Sequence, residues 1–121
     1  MSGEEMKIAV IGSRTFNDYN ILVSAILKSF SLEDIDCIIS GGARGADSLA
    51  ERFSREYLKK EPVIFRADWD THGKSAGFIR NTIIINNAGY VIAFWDGKST
   101  GTLDSIKKAY LKGLKVEIIN F

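Results

Sequence analysis

Five short apolar runs, recurring at intervals of about 25 to 30 residues, limit what this chain can fold into: Lys7 to Ile11, Asp36 to Ile39, Val63 to Phe65, Tyr90 to Phe94 and Lys115 to Ile119. Runs this short and this continuously apolar read as strands buried on both faces, as in a parallel sheet covered by helices. The segments between them carry helical periodicity. Ile21, Leu22, Ala25, Ile26 and Phe30 share one face of the first, with Asn17 or Asp18 as its cap. In the second, Ala46, Leu49, Ala50, Phe53 and Tyr57 recur at spacings of three and four, opposite charged residues, and Pro62 stands beyond its end. The third is expected to start at a Ser75 cap, to bury Ala76, Ile79, Ile83 and Ile84, and to leave Arg80 and Asn81 elsewhere. Asn86, Asn87 and Gly89 would close it in a left-handed conformation. Leu103, Ile106 and Tyr110 line the fourth, which Gly113 ends.

Strands and helices alternating in this way form an α/β three-layer sandwich: a five-stranded parallel sheet with helices on both faces, because each crossover is right-handed. The usual strand order is 3-2-1-4-5, and 2-1-3-4-5 is also compatible with the alternation. In the first order the chain reverses between strands one and four, and ligands bind there, beyond the C-terminal strand ends. A chain of 121 residues suits one domain spanning 1–121, with residues 1–5 expected to be flexible.

The unusual residues gather at that same end. Gly12, Ser13 and Arg14 follow strand one, and Ser40-Gly-Gly-Ala-Arg-Gly-Ala-Asp47 follows strand two. Asp68 to Lys74, including Trp69, follow strand three, and Trp95 to Thr102 follow strand four. The connections that enter the strands are ordinary by comparison, and this asymmetry points to a nucleotide-sized pocket. Within it, Gly41, Gly42 and Gly45 would let backbone N–H groups approach a phosphate at a helix N-terminus. Arg44 and Arg14 would fork onto the phosphate or stay solvated. Asp47, in a first helical turn, suits the helix dipole as well as it suits a ribose. Trp69 and Trp95 offer faces for stacking or for packing. Asp96 would accept from ribose hydroxyls, while Ser99, Gly101 and Thr102 would donate to phosphate, with capping of the last helix by Ser99 or Thr100 as the structural alternative.

Composition excludes several classes. A formal net charge of +1 argues against a protein that coats nucleic acid, leaving it a disfavoured partner. One histidine, His72, and one cysteine, Cys37, remove structural zinc and any disulfide framework, so no metal is assigned and no cofactor is required beyond a bound nucleotide. The polar start Met1 to Glu5 has no secretory pattern and no apolar run would span a bilayer, so a cytoplasmic protein is expected, with no membrane partner.

Gly12-Ser13-Arg14, Ser40 to Asp47, Ala67-Asp68-Trp69, Ala76-Gly-Phe-Ile-Arg-Asn81 and Trp95-Asp96-Gly97 through Gly101-Thr102 together resemble the YspA/YpsA-like branch of the SLOG superfamily. The resemblance covers nearly the whole chain. It implies a Rossmann-like fold, a nucleotide or nucleotide-derived ligand that also engages Arg80 and Asn81, and a homodimer of the kind relatives form. The superfamily includes LOG-type phosphoribohydrolases and the DNA-processing protein A. By resemblance to the LOG type, Arg80 matches a catalytic arginine, but Ser105 stands where the catalytic glutamate would be, with Asp104 as the adjacent carboxylate. The reading is therefore a module that binds, senses or sequesters a ligand such as NAD, ADP-ribose or a cyclic nucleotide. Its alternatives are N-glycosidic cleavage of a nucleoside phosphate and single-stranded DNA binding.

Overall fold

The computed structural model describes residues 5–121, so most of the segment expected to be flexible lies outside the described residues. The strands are β1 (Met6–Gly12), β2 (Ile35–Ser40), β3 (Val63–Ile64), β4 (Tyr90–Trp95) and β5 (Lys115–Asn120). They form one parallel sheet in the order β3-β2-β1-β4-β5, with Ile8 opposite Ile38 on one side and Tyr90 on the other. Side chains alternate between its faces, as the two-residue period of a strand requires. Ile8, Val10, Ile38, Ile92 and Phe94 enter one core with Leu22, Ile26, Ala50 and Phe53. Ala9, Ile11, Ile39, Val91 and Ala93 enter the other with Ile84, Ile85, Ile106 and Ala109. Helices α1 (Tyr19–Ser29) and α2 (Ala46–Phe53) thus cover one face, and α4 (Ala76–Asn87) and α5 (Thr100–Lys112) cover the other. No helix among the described residues is long and apolar enough to cross a membrane.

Local chemistry sets the helix ends. Asp18 caps α1 by accepting from the Ile21 N–H at 3.1 Å, which turns Leu22, Ala25 and Ile26 inward and leaves Ile21 exposed. Helix α2 widens into a π-helical turn at Ser54–Leu58 and stops at Lys59, whose φ is 57°. The stretch after β3, expected to be loop, holds the short helix α3 (Trp69–His72), because Asp68 accepts from the Thr71 N–H at 3.1 Å and starts a turn.

Helix α4 differs most from expectation. It buries Ala76, Asn81, Ile84 and Ile85, while Ile79 and Ile83 are 36% and 42% exposed. The helix is rotated because its first turns face a polar cavity and α5 rather than an apolar layer. Asn81 donates to the Gly101 carbonyl and to Asp104, each at 3.1 Å, so a polar residue is satisfied at an inward position. Ser75 has helical backbone angles and no capping bond, since a preceding 3-10 turn, Gly73–Ser75, feeds directly into the helix. Nor does α4 end left-handed: Ala88 is extended, and Lys112 Nζ from α5 reaches the carbonyls of Ile85 (3.1 Å) and Asn86 (3.0 Å). A cation there satisfies carbonyls that the helix end leaves open. Lys112→Met is expected to cost about 1 kcal/mol, read as a lower urea midpoint at unchanged slope.

Candidate ligand-binding cavity

A cavity of about 610 Å³ opens at the C-terminal ends of β1 and β4, where the chain reverses. It is walled by the β1–α1 turn, the β2–α2 loop, α3 with the start of α4, and the β4–α5 turn. Two hydrogen bonds of Ser13 fix its floor. The Ser13 N–H donates to the Phe94 carbonyl at 2.9 Å, and the Asp96 N–H donates to Ser13 Oγ at 3.3 Å. Gly12, Ser13, Arg14, Gly41, Asp47, Trp69, Arg80, Asn81, Asp96, Ser99, Gly101 and Thr102 all line the space. Gly42, Arg44, Gly45, Trp95 and Asp104 do not.

The glycine-rich loop is closed upon itself. The Gly42 N–H donates to Ser40 Oγ at 3.1 Å and the Ala43 N–H to Asp47 Oδ2 at 3.1 Å, while Ser40 Oγ donates to Glu51 at 2.6 Å. Two of the donors expected to cradle phosphate are therefore held by the loop's own side chains. Gly45 is needed by the backbone: its φ is 74°, and a Cβ there would lie 2.5 Å from the carbonyl oxygens of Ser13 and Arg14. Gly41 allows a close approach, since a Cβ would meet Arg80 Nη1 at 2.6 Å and Asp47 Oδ2 at 2.9 Å. Arg44 is exposed outside the cavity.

The free donors lie across the cavity, at the N-terminus of α5. Ser99 caps this helix, accepting from the Thr102 N–H at 3.3 Å, and no acidic residue occupies its first turn. The N–H groups of Thr100 and Gly101 precede the first intrahelical bond and face no capping side chain. Asp96 Oδ1 accepts from the N–H groups of Lys98 (2.9 Å) and Ser99 (2.8 Å), which build the turn and hold its carboxyl below the usual carboxylate range. Trp95 is half-buried, and its indole N–H donates to the Ser99 carbonyl at 3.1 Å, so it braces this turn from behind.

On the α4 side, Arg80 Nη1 donates to the Gly41 carbonyl at 2.6 Å and Nε to Asn81 Oδ1 at 3.1 Å. Asp104 is turned from the cavity and is bound by Asn81 and by Lys108 Nζ at 2.7 Å. The buried Ser105 lines the cavity instead, one position further along the helix. Lys74, Lys98 and Phe78 also line it. Lys74 and Lys98 lie within stretches the sequence marks as unusual and Phe78 within the Ala76 to Asn81 motif, yet no local pattern separates them from solvated neighbours.

Residues 6–72 match the family model described as the YspA, cpYpsA-related SLOG family. The chain is also 33% identical over 121 residues to the Gene 61 protein of Mycobacterium phage D29, with 95% of each chain covered. The chain belongs to the YspA, cpYpsA-related SLOG family. Its fold is also that of DNA processing protein A from Helicobacter pylori, in a structure described for its single-stranded DNA binding mode: the TM-score is 0.70 at 21% identity. The match covers 95% of this chain and 65% of that one, so this chain spans less than two thirds of its neighbour.

Charge within this SLOG cavity is uneven. Arg14, Lys74, Arg80 and Lys98 stand against the carboxylates Asp47 and Asp96. Burial pushes the Asp47 carboxyl up to about 6, against the opposing pull of the Ala43 N–H and the Arg80 charge. Arg80 is itself lowered, chiefly by burial, although the Asp47 carboxylate supports its charge. A guanidinium shifted in this way stays cationic near neutrality.

Proposed function

We propose that the cavity binds a nucleotide or a nucleotide-derived ligand such as NAD, ADP-ribose or a cyclic nucleotide. The observation that carries this reading is one cavity with an anion-attracting wall and an aromatic rim. The N-terminus of α5, with Arg14 and Lys98, supplies the first; Trp69 and Phe78, 53% and 46% exposed, supply the second. Its volume falls in the range of small-molecule sites. The phosphate is then held at Thr100 and Gly101, not at the glycine-rich loop after β2. The reading is one of binding rather than cleavage, because Asp104, adjacent to the substituted glutamate position, does not line the cavity and is engaged by Asn81 and Lys108, while the lining carboxylates Asp47 and Asp96 are committed to backbone N–H groups of their own loops.

Gly101 gives the test. A Cβ at this position meets nothing within 4 Å, and glycine in a helix costs about 1 kcal/mol relative to alanine. Gly101→Leu is expected to keep or raise Tm and to lower affinity for ADP-ribose or AMP at least tenfold, measured by calorimetry. Unchanged affinity with an unchanged fold would refute the placement of the ligand. A second reading, single-stranded DNA binding, is favoured by the fold shared with DNA processing protein A. It predicts that an oligodeoxythymidylate binds more tightly than ADP-ribose and loses affinity steeply with added salt.

A further inference from the structure

The mechanically unusual feature of the cavity is its carboxylate. Asp47 is 6% exposed, yet it forms part of a wall whose other charged members are mostly cations. One oxygen accepts from the Ala43 N–H, and Gly41, where a Cβ would meet both groups, leaves room for the carboxylate on one side and the Arg80 guanidinium on the other. We infer that Asp47 couples ligand binding to proton uptake, so that an anion entering the cavity is held more tightly when Asp47 carries a proton. This rests on the nucleotide reading and adds to it a regulation of the same site.

The surrounding charges set the direction. From α4, Arg80 favours the ionised carboxylate, and from its own helix Glu51 opposes it. Arg14 in the β1–α1 turn acts on Arg80 as a like charge. Across the cavity stand Lys74 and Lys98, with Asp96 committed to its own turn. An incoming phosphate competes with Asp47 for the field of Arg80 and adds a negative charge to a cavity already holding a buried carboxylate. Both effects favour the protonated acid in the complex, so the complex binds more protons than the free protein. Free Asp47 releases its proton near pH 6. Affinity for the anion therefore declines as pH rises from there towards the higher value in the complex.

The probes are ADP-ribose and a short oligodeoxythymidylate, whose diphosphate and phosphodiester groups do not titrate between about pH 5 and 8. The wild-type Kd is expected to rise by up to about tenfold per pH unit above pH 6. Calorimetry in buffers of different ionisation enthalpy should show fractional proton uptake by the wild type. Asp47→Asn keeps an acceptor for the Ala43 N–H and should bind with a pH-independent Kd. Binding by the wild type that is flat in pH and takes up no proton overturns the coupling while leaving the nucleotide reading intact. Binding of neither probe at any pH overturns both. Because proton uptake is measured on the wild type, a variant that folds poorly does not remove the test.

Discussion

Asp47→Asn is expected to raise stability at pH 8 by about 3 kcal/mol and Tm by roughly 10 °C, with the gain vanishing below about pH 4. The buried carboxyl titrates near 6 in the folded protein against 3.8 as the ordinary value. Between those values the native state binds more protons than the unfolded chain, so stability falls as pH rises through the window. Above it the full cost of ionising a buried acid is present. Asparagine removes that cost and still offers Oδ1 to the Ala43 N–H, which Asp47 accepts at 3.1 Å. Urea unfolding of both proteins at pH 4 and pH 8 reads the difference directly. An equal loss at both values would mean that the carboxylate geometry, not its charge, matters to the loop.

Gly45→Ala is expected to cost about 4 kcal/mol, enough to threaten folding of a domain this size. Its angles, φ 74° and ψ −126°, belong to a region that glycine alone occupies readily. The added methyl would also press against two carbonyl oxygens of the β1–α1 turn. Gly97→Ala supplies the comparison: φ is 80°, but a Cβ there meets nothing within 4 Å, so the cost is about 1 kcal/mol. Denaturant midpoints of the two variants should differ by the contribution of close packing. Equal losses would show that the β2–α2 loop does not press on the β1–α1 turn.

The sheet was legible because the inner strands β1, β2 and β4 are largely buried on both faces and therefore announce themselves as apolar runs, and the partly exposed edge strands β3 and β5 still carry Val63, Ile64, Val116, Ile118 and Ile119. The alternation leaves two strand orders open, of which the structure has the more usual, β3-β2-β1-β4-β5, and the caps at Asp18 and Ser99 carry familiar residue types. Helix α3 was hidden, since four residues after Asp68 show no periodicity. The rotation of α4 was hidden for another reason: spacing identifies a helical face but does not reveal whether that face meets apolar core or a polar cavity. Ile79 and Ile83 look as buried in sequence as Ile84 and Ile85 are in the fold. The glycine-rich loop shows the same limit at the level of donors. A turn that binds an anion and one that binds its own aspartate share a composition, and only the position of Asp47 beneath Ala43 separates them.

That self-closed loop also bears on the thermodynamics of ligand entry. Ser40, Asp47 and Arg80 hold the segment from Gly41 to Ala43 before any ligand arrives. Fixing one residue's backbone costs about 1–2 kcal/mol of conformational entropy, and here that cost falls on folding rather than on binding. The cavity is thus preorganised along this wall. A ligand meets a surface that need not be ordered on contact, and its association retains free energy that a mobile loop would have consumed.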